Sequence, residues 1–326
     1  MKTIIIDTLG GDNGSAPIIE AIKSFLNDNP ENKVIAVGKE EELQELKGMC
    51  EIVNAPYNIP MEASPLDVMR HKDSSLYVAN QLMKDGRGDA VVSAGSTGGL
   101  LTASTLLLKT APNVKRAAYV APFPTLIKGK KVVILDIGAN NENSAEELVQ
   151  FATMGTLYSQ IVFKVDKPKV YLLSNGSEEG KGSPVSKEAY KLLRDNPYFA
   201  GNMEARYALA GEADVVVTDG FTGNIFLKSS EGMAKMLSGM IKGAFKRNLW
   251  SKLGYLHVRK GIKEMTDTWD YKSTGGAMLL GVNGVVVKAH GNSDAYSFRC
   301  ALNVAKSLAD ADLSNRISKE LEGQNA

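Results

Sequence analysis

The chain has 326 residues, 44% of them hydrophobic and 23% charged, with 38 Lys and Arg against 37 Asp and Glu. That balance excludes a globally basic nucleic-acid binder and an acidic solvating tail, and the length suffices to bury a core without disulfides or a structural metal. Two cysteines, Cys50 and Cys300, give neither a disulfide framework nor a zinc spacing, and read as idle thiols in a reducing cytoplasm.

The opening Met1–Asp7 is too short an apolar run for a signal peptide, and no stretch approaches the roughly 20 apolar residues of a membrane span. The expected location is cytoplasmic. Along the chain, short β-branched runs at Ile4–Asp7, Val34–Gly38, Ala90–Ala94, Val132–Asp136, Val170–Leu173, Val215–Asp219 and Val285–Ala289 predict strands. They show little period-2 alternation, as expected when both faces of a parallel sheet are covered. Helical spacing falls between them at Pro17–Leu26, Glu41–Lys47, Ser75–Lys84, Gly98–Leu108, Glu146–Gln160, Val185–Arg194 and Ser230–Leu249. The alternation predicts an α/β fold with a mainly parallel sheet. The polar tail after Asp312 is expected to end in a frayed helix.

Five predicted strands run into small, polar turns. These are Asp7–Gly14, Ser93–Gly99, Asp136–Asn141, Asp219–Asn224 and the segment from Lys288 to Asp294. Ligands of open α/β sheets bind at the carboxyl ends of strands, so five such turns predict one broad cleft. Gly95-Ser96-Thr97-Gly98-Gly99 is the best anion cradle, because a helix follows at once and turns its amide hydrogens toward the turn.

Other chemistries lack their signatures. The Gly10-Gly11 pair has the wrong spacing for a dinucleotide fingerprint, and Gly176-Ser177-Glu178-Glu179-Gly180-Lys181-Gly182 lacks the length and the Ser or Thr of a P-loop. There is no G-x-S-x-G nucleophile elbow, and no His, Cys, Asp or Glu cluster has transition-metal spacing. Of the three histidines, His71 and His257 have basic neighbours, and only His290 sits in a polar strand-end turn. Lys181, flanked by glycines, can approach a ligand without steric hindrance, or can be a solvated loop lysine. Asn224 can act in the site or simply cap a helix.

From Met233 to Leu249 the apolar residues Met233, Met236, Leu237, Met240, Ile241, Ala244, Phe245 and Leu249 share one helical face. Lys235, Lys242 and Lys246 lie opposite, and Trp250, Tyr255, Arg259 and Lys263 follow. This face fits an anionic membrane surface, an acidic protein partner or a subunit interface.

The motifs together resemble the bacterial phosphate acyltransferases of phospholipid synthesis, the PlsX type, almost end to end. The resemblance rests on Asp7-Thr8-Leu9-Gly10-Gly11-Asp12, Lys72-Asp73-Ser74-Ser75, Ser93-Ala94-Gly95-Ser96-Thr97-Gly98 and Asp136-Ile137-Gly138-Ala139-Asn140. It continues through Gln150–Gly155, Glu178-Glu179-Gly180-Lys181-Gly182, Asp219-Gly220-Phe221-Thr222-Gly223-Asn224 and Gly281–Gly291. The chain departs from the family at Thr8-Leu9, at Asn13-Gly14-Ser15 and at Asn141–Ala145.

The resemblance implies one domain over residues 1–326 with a helical insertion at 229–272. It implies a three-layer α/β/α Rossmann-like fold akin to phosphotransacetylase and isocitrate dehydrogenase, and a homodimer. The implied reaction joins inorganic phosphate to the acyl group of a fatty acyl thioester on acyl carrier protein, giving acyl phosphate, with no cofactor and no metal. Lys181 and Asn224 are the implied catalytic residues. Asp7, Gly10, Gly11, Asp12, Gly95, Ser96, Thr97, Gly98, Asp136, Asn140, Asp219, Gly223, His290 and Ser293 are the candidate substrate-binding residues. No nucleic-acid partner is expected, and peripheral contact with the inner face of the cell membrane fits the basic segment. The competing readings are a phosphotransacylase using acyl-coenzyme A, an acyl-phosphate-forming subunit of a larger complex, and a non-catalytic carrier- or membrane-binding module. The presence of both Lys181 and Asn224 speaks against the last.

Overall fold

The computed structural model describes residues 1–269 and 275–325. In chain order the elements are β1 (Thr3–Asp7), α1 (Ala16–Asp28), β2 (Lys33–Gly38), β3 (Glu51–Asn54), α2 (Asp67–Arg70), α3 (Ser75–Lys84), β4 (Ala90–Ser93) and α4 (Thr97–Leu107). Next come β5 (Ala118–Pro124), β6 (Lys131–Leu135), α5 (Ala145–Val162), β7 (Val170–Ser174), α6 (Pro184–Leu193), β8 (Phe199–Glu204) and β9 (Val215–Val217). The chain continues through α7 (Gly220–Lys246), α8 (Leu249–Trp269), β10 (Ala277–Leu280), β11 (Val285–Lys288), α9 (Ala295–Asp310) and α10 (Leu313–Asn325). Residues 270–272, at the expected end of the helical insertion, lie outside the described residues.

The strands form one sheet in the order β3-β2-β1-β4-β11-β10-β5-β6-β9-β7-β8. Among the described residues every pairing is parallel except β10–β11, β10–β5 and β5–β6. Those three reversals divide the sheet. Strands β1, β2, β3, β4 and β11 run one way, and β6, β7, β8 and β9 run the other. The carboxyl ends of the two sets therefore point in opposite directions, where the sequence suggested a single cleft edge.

Both sheet faces are buried because successive strand residues are apolar on both sides. Ile4, Ile6, Val34, Ala36 and Val92 pack into one core with α1, α5, α6, α9 and α10. Ile5, Ile35, Val37 and Val91 pack into the other with α2, α3 and α4. The result is the expected three-layer α/β/α arrangement.

Helix α5 anchors the second half. A capping box between Ser144 and Glu147 starts it by satisfying amide groups that the first turn leaves open. It is buried along nearly its whole length, with Phe151 and Met154 at 0% exposure. Gly155 permits that closeness, since a Cβ there would stand 2.6 Å from Val215 Cγ1.

Two local expectations are corrected. Glu41–Lys47 forms no α-helix but two 3₁₀ turns, Glu40–Glu42 and Gln44–Leu46. Only Leu43 and Leu46 are buried there, and their i, i+3 spacing suits three residues per turn. The polar tail is docked rather than frayed. Leu313, Ile317 and Leu321 place an apolar stripe of α10 in the core, and Ser314 Oγ donates to Val282 O at 3.0 Å.

Truncating the centre of α5 tests this packing. Phe151→Ala is expected to destabilise the fold by about 3–5 kcal/mol through lost burial and a residual cavity, read as a lowered urea midpoint. A loss under about 1 kcal/mol would show that α5 does not anchor the core.

Candidate active site

Three of the five polar turns interlock at the carboxyl ends of β1, β4 and β11. Asp7 is buried, and its Oδ2 accepts Ser93 Oγ at 2.6 Å while Oδ1 accepts Leu9 N at 3.2 Å. Burial pushes its carboxyl above the ordinary range, partly offset by these hydrogen bonds and by Lys288. Gly10 and Gly95 touch backbone to backbone; a Cβ on Gly10 would lie 2.4 Å from Gly95 Cα. Asp12 N donates to Gly291 O at 2.8 Å, and Asn13 Nδ2 donates to Asn292 O and Ser293 O, both at 3.2 Å. Ser96 caps α4 by accepting Gly99 N at 3.3 Å.

The other two turns interlock at the carboxyl ends of β6 and β9. Asp136 is buried and holds its own turn. Oδ1 accepts the amides of Tyr119, Gly138 and Ala139 at 2.9–3.0 Å, and Oδ2 accepts Asn140 N at 2.9 Å and Asn140 Nδ2 at 2.8 Å. Burial still raises its carboxyl, although these donors pull the other way. Asp219 caps α7, accepting Thr222 N and Thr222 Oγ1 at 2.8 Å. The first turn of α7 then docks on the Asp136 turn through glycines. A Cβ at Gly220 would be 2.1 Å from Asn140 O, and one at Gly223 would be 1.8 Å from Asp136 O. Docking lays Asn224 against Gly138, whose added Cβ would meet Asn224 Nδ2 at 2.9 Å.

Tyr119 of β5 joins the two groups of turns. Its backbone N–H donates to Asp136 Oδ1 at 3.0 Å, and its hydroxyl donates to Thr97 O at 3.2 Å. Thus one open groove of about 2880 Å³ is lined from both halves of the sheet. Of the candidate catalytic and substrate-binding residues, Asp12, Thr97, Asn224, His290 and Ser293 line it. Asp7, Gly10, Gly11, Gly95, Ser96, Gly98, Asp136, Asn140, Asp219 and Gly223 do not; they shape the turns beneath its walls.

Lys181 is not among the lining residues and is exposed. Its loop is closed by Lys181 N donating to Glu178 O at 3.0 Å and Gly182 N donating to Asn175 Oδ1 at 2.9 Å. The loop follows β7, the parallel neighbour of β9, so Lys181 and Asn224 stand on turns at the same sheet end.

Tyr119 and Lys288 line the groove but were not among the candidate site residues. Lys288 ends an otherwise apolar strand, is 9% exposed, and donates to Ala94 O at 3.1 Å and Ala289 O at 2.5 Å. Burial lowers its ammonium pKa to about 8 despite Asp7 and Asp12 nearby. A lone lysine closing the run Val285-Val286-Val287 was the available signal. Burial, and next the Lys288 charge, also lower the His290 imidazole, favouring its neutral form.

Away from this end the groove becomes apolar. Phe226, Met233, Leu237, Ile241, Phe245 and Tyr255 line it along α7 and α8, with Lys235, Lys242, Lys246, Lys252 and Lys263 among them. Phe245 meets Tyr255 edge-on at 5.3 Å across the helix pair. The outer side exposes Met240 and Trp250, the latter 80% accessible. No described helix is long and apolar enough to cross a membrane. His71 stacks on Tyr57 at 4.1 Å and His257 is exposed on α8; neither lines the groove. Burial pushes the Cys50 thiol up to about 11, which fits an inert thiol.

Residues 2–316 match the family described as "Fatty acid synthesis protein". The chain is 42% identical over 324 residues to the phosphate acyltransferase of Exiguobacterium sp., covering 97% of this chain and 98% of the relative. It is 39% identical over 327 residues to that of Nitratiruptor sp., covering 99% and 98%. Among solved structures it resembles a phosphotransacetylase from Streptococcus pyogenes, with TM-score 0.64, 19% identity and coverage of 95% and 94%. A branched-chain phosphotransacylase from Enterococcus faecalis gives TM-score 0.61, 16% identity and coverage of 95% and 99%. The structural likenesses establish the fold; the sequence matches establish that the chain belongs to the fatty acid synthesis protein family and is an acyltransferase of the phosphate acyltransferase kind.

Proposed function

We propose that the chain transfers a fatty acyl group from a thioester on acyl carrier protein to inorganic phosphate, releasing acyl phosphate and the free carrier thiol. One observation carries this reading: a single groove has a polar end built from helix N-termini, Asn224 and His290, and continues into an apolar, lysine-bearing trough. At about 2880 Å³ the groove far exceeds the roughly 300–1,000 Å³ of an ordinary small-molecule pocket. The polar end suits an inorganic anion, the apolar wall an acyl chain, and the lysines an acidic carrier.

The chemistry asks little beyond positioning. A phosphate oxygen attacks the thioester carbonyl carbon, the C–S bond breaks, and the sulfur leaves as thiolate and takes a proton from solvent. A thiol of pKa about 8.5 is a competent leaving group without a strong acid. The protein's contribution is to hold two reactants together and to stabilise negative charge on the tetrahedral carbonyl oxygen. Asn224, fixed on the Gly138 turn, donates its amide to that oxygen. Lys181, on the adjoining turn, adds positive charge on the same side. The lysines of α7 and α8 engage the carrier and, with Arg247, the anionic headgroups of a membrane on which the exposed apolar side of the pair rests.

The direct assay incubates palmitoyl-carrier with orthophosphate and traps acyl phosphate with hydroxylamine. Thiol release that depends on phosphate supports the reading. Turnover of acyl-coenzyme A alone, with every carrier thioester inert, would replace the donor. Asn224→Ala is expected to lower turnover by about 10²–10³, the usual cost of one oxyanion donor, with an unchanged melting temperature. Wild-type turnover in that variant would remove Asn224 from the mechanism. A triple variant reversing Lys242, Lys246 and Arg247 is expected to lose salt-sensitive binding to anionic liposomes. Partitioning equal to wild type would exclude an electrostatic membrane contact.

A further inference from the structure

Lys288 has a place in the groove that no role above uses. It ends β11 between two polar turns, and its register partner Ser93 begins the turn leading to α4. Two of its three ammonium hydrogens are committed to the carbonyls of Ala94 and Ala289, leaving one donor. Because the side chain is almost fully buried, those carbonyls fix the position of the charge instead of letting it sweep through solvent. The groove beside it is lined by Thr97 in the first turn of α4, by His290 and by Ser293. An ammonium, a helix N-terminus and two hydrogen-bonding side chains thus share one wall.

Resting on the acyl-transfer reading, we propose that inorganic phosphate binds against the Lys288 ammonium, between the first turn of α4 and the His290–Ser293 turn, with Lys288 as its principal cation. Lys181, exposed on a loop outside the groove lining, does not anchor the phosphate, and Asn224 acts from the opposite wall. Phosphate approaches the carbonyl carbon from the β11 wall, and Asn224 stabilises the oxyanion from the β9 wall. The groups facing Lys288 and its neighbour His290 are Asp7 on β1, Asp12 in the following turn, and Lys228 and Glu231 on α7. Asp7 and Asp12 hold positive charge on Lys288, while burial favours its loss. With the ammonium pKa near 8, the anchor is charged below that pH and loses its charge above it.

The test separates phosphate binding from turnover. Direct titration of the full chain with inorganic phosphate, by calorimetry or ³¹P line broadening, needs no acyl donor. In Lys288→Met the phosphate dissociation constant is expected to rise at least about tenfold, while the KM for palmitoyl-carrier stays within about twofold and the melting temperature holds. Lys181→Met is expected to leave phosphate binding unchanged. In the wild type, phosphate affinity is expected to fall above pH 8 by up to about tenfold per pH unit, the limit for losing one proton. That measurement keeps the proposal open to refutation even if Lys288→Met does not fold. Unchanged phosphate affinity in Lys288→Met, a tenfold loss in Lys181→Met instead, or wild-type affinity flat from pH 7.5 to 9.5 would each overturn it. Phosphate binding that follows these expectations in a protein inert toward every thioester would sink the acyl-transfer reading and leave the anion site standing.

Discussion

The site depends on Tyr119 standing where the sheet reverses. The strands on either side point their carboxyl ends in opposite directions, so their polar turns would otherwise face apart. Tyr119 reaches both, offering its backbone N–H to Asp136 and its hydroxyl to Thr97 O. Its phenol is buried beside Asp136, and both effects push its ionisation up, so it stays a neutral donor. The β5–β6 hairpin, antiparallel within a mostly parallel sheet, is thus what lets two half-sites become one groove.

The buried carboxylates are scaffolding. Asp7 ends β1 and Asp136 directly follows β6; Asp136 holds the turn that follows with both oxygens, and Asp7 holds its own turn with one and Ser93 of β4 with the other. A buried carboxylate is tolerable only where donors converge on it, and here they include backbone amides of the following turn together with Ser93 Oγ, Asn140 Nδ2 and Tyr119 N. Glycines finish the work. Gly10 against Gly95, and Gly220 and Gly223 against the Asp136 turn, allow contacts that any side chain would obstruct. Asn224 and Thr97 are held by backbone geometry, and the groups that face the groove need no strain of their own.

Much of this was legible in the residues. Strands with apolar residues on both faces announced a covered parallel sheet, and the polar turns behind Asp7, Ser93, Asp136, Asp219 and Lys288 marked where the walls would rise. What escaped had weak local signals. β5 carries Pro122 and Pro124, which argue against a central strand; it admits them because β10 pairs with it only as far as Val120, leaving one side open beyond. β10, Ala277–Leu280, has no β-branched residue, and edge strand β3 begins and ends in exposed polar residues. The reversal of direction is a tertiary fact, set by which strands pair, and no local pattern records it. For the same reason the residues that face the groove could not be told from those that only shape it. Asp7 and Asp12 read alike in sequence, yet one is buried and the other lines the groove. Lys288 was hidden in an apolar run because the groups that make its burial tolerable, Ala94 O, Asp7 and Asp12, come from distant parts of the sequence.

A structure of the protein with inorganic phosphate and a non-hydrolysable long-chain thioether analogue of the donor would show whether anion and acyl chain share the groove. Both are expected in the one groove, with phosphate at the His290 end and the chain running toward Phe245 between α7 and the sheet. A chain lodged elsewhere, or the two ligands on opposite faces of the sheet, would contradict it.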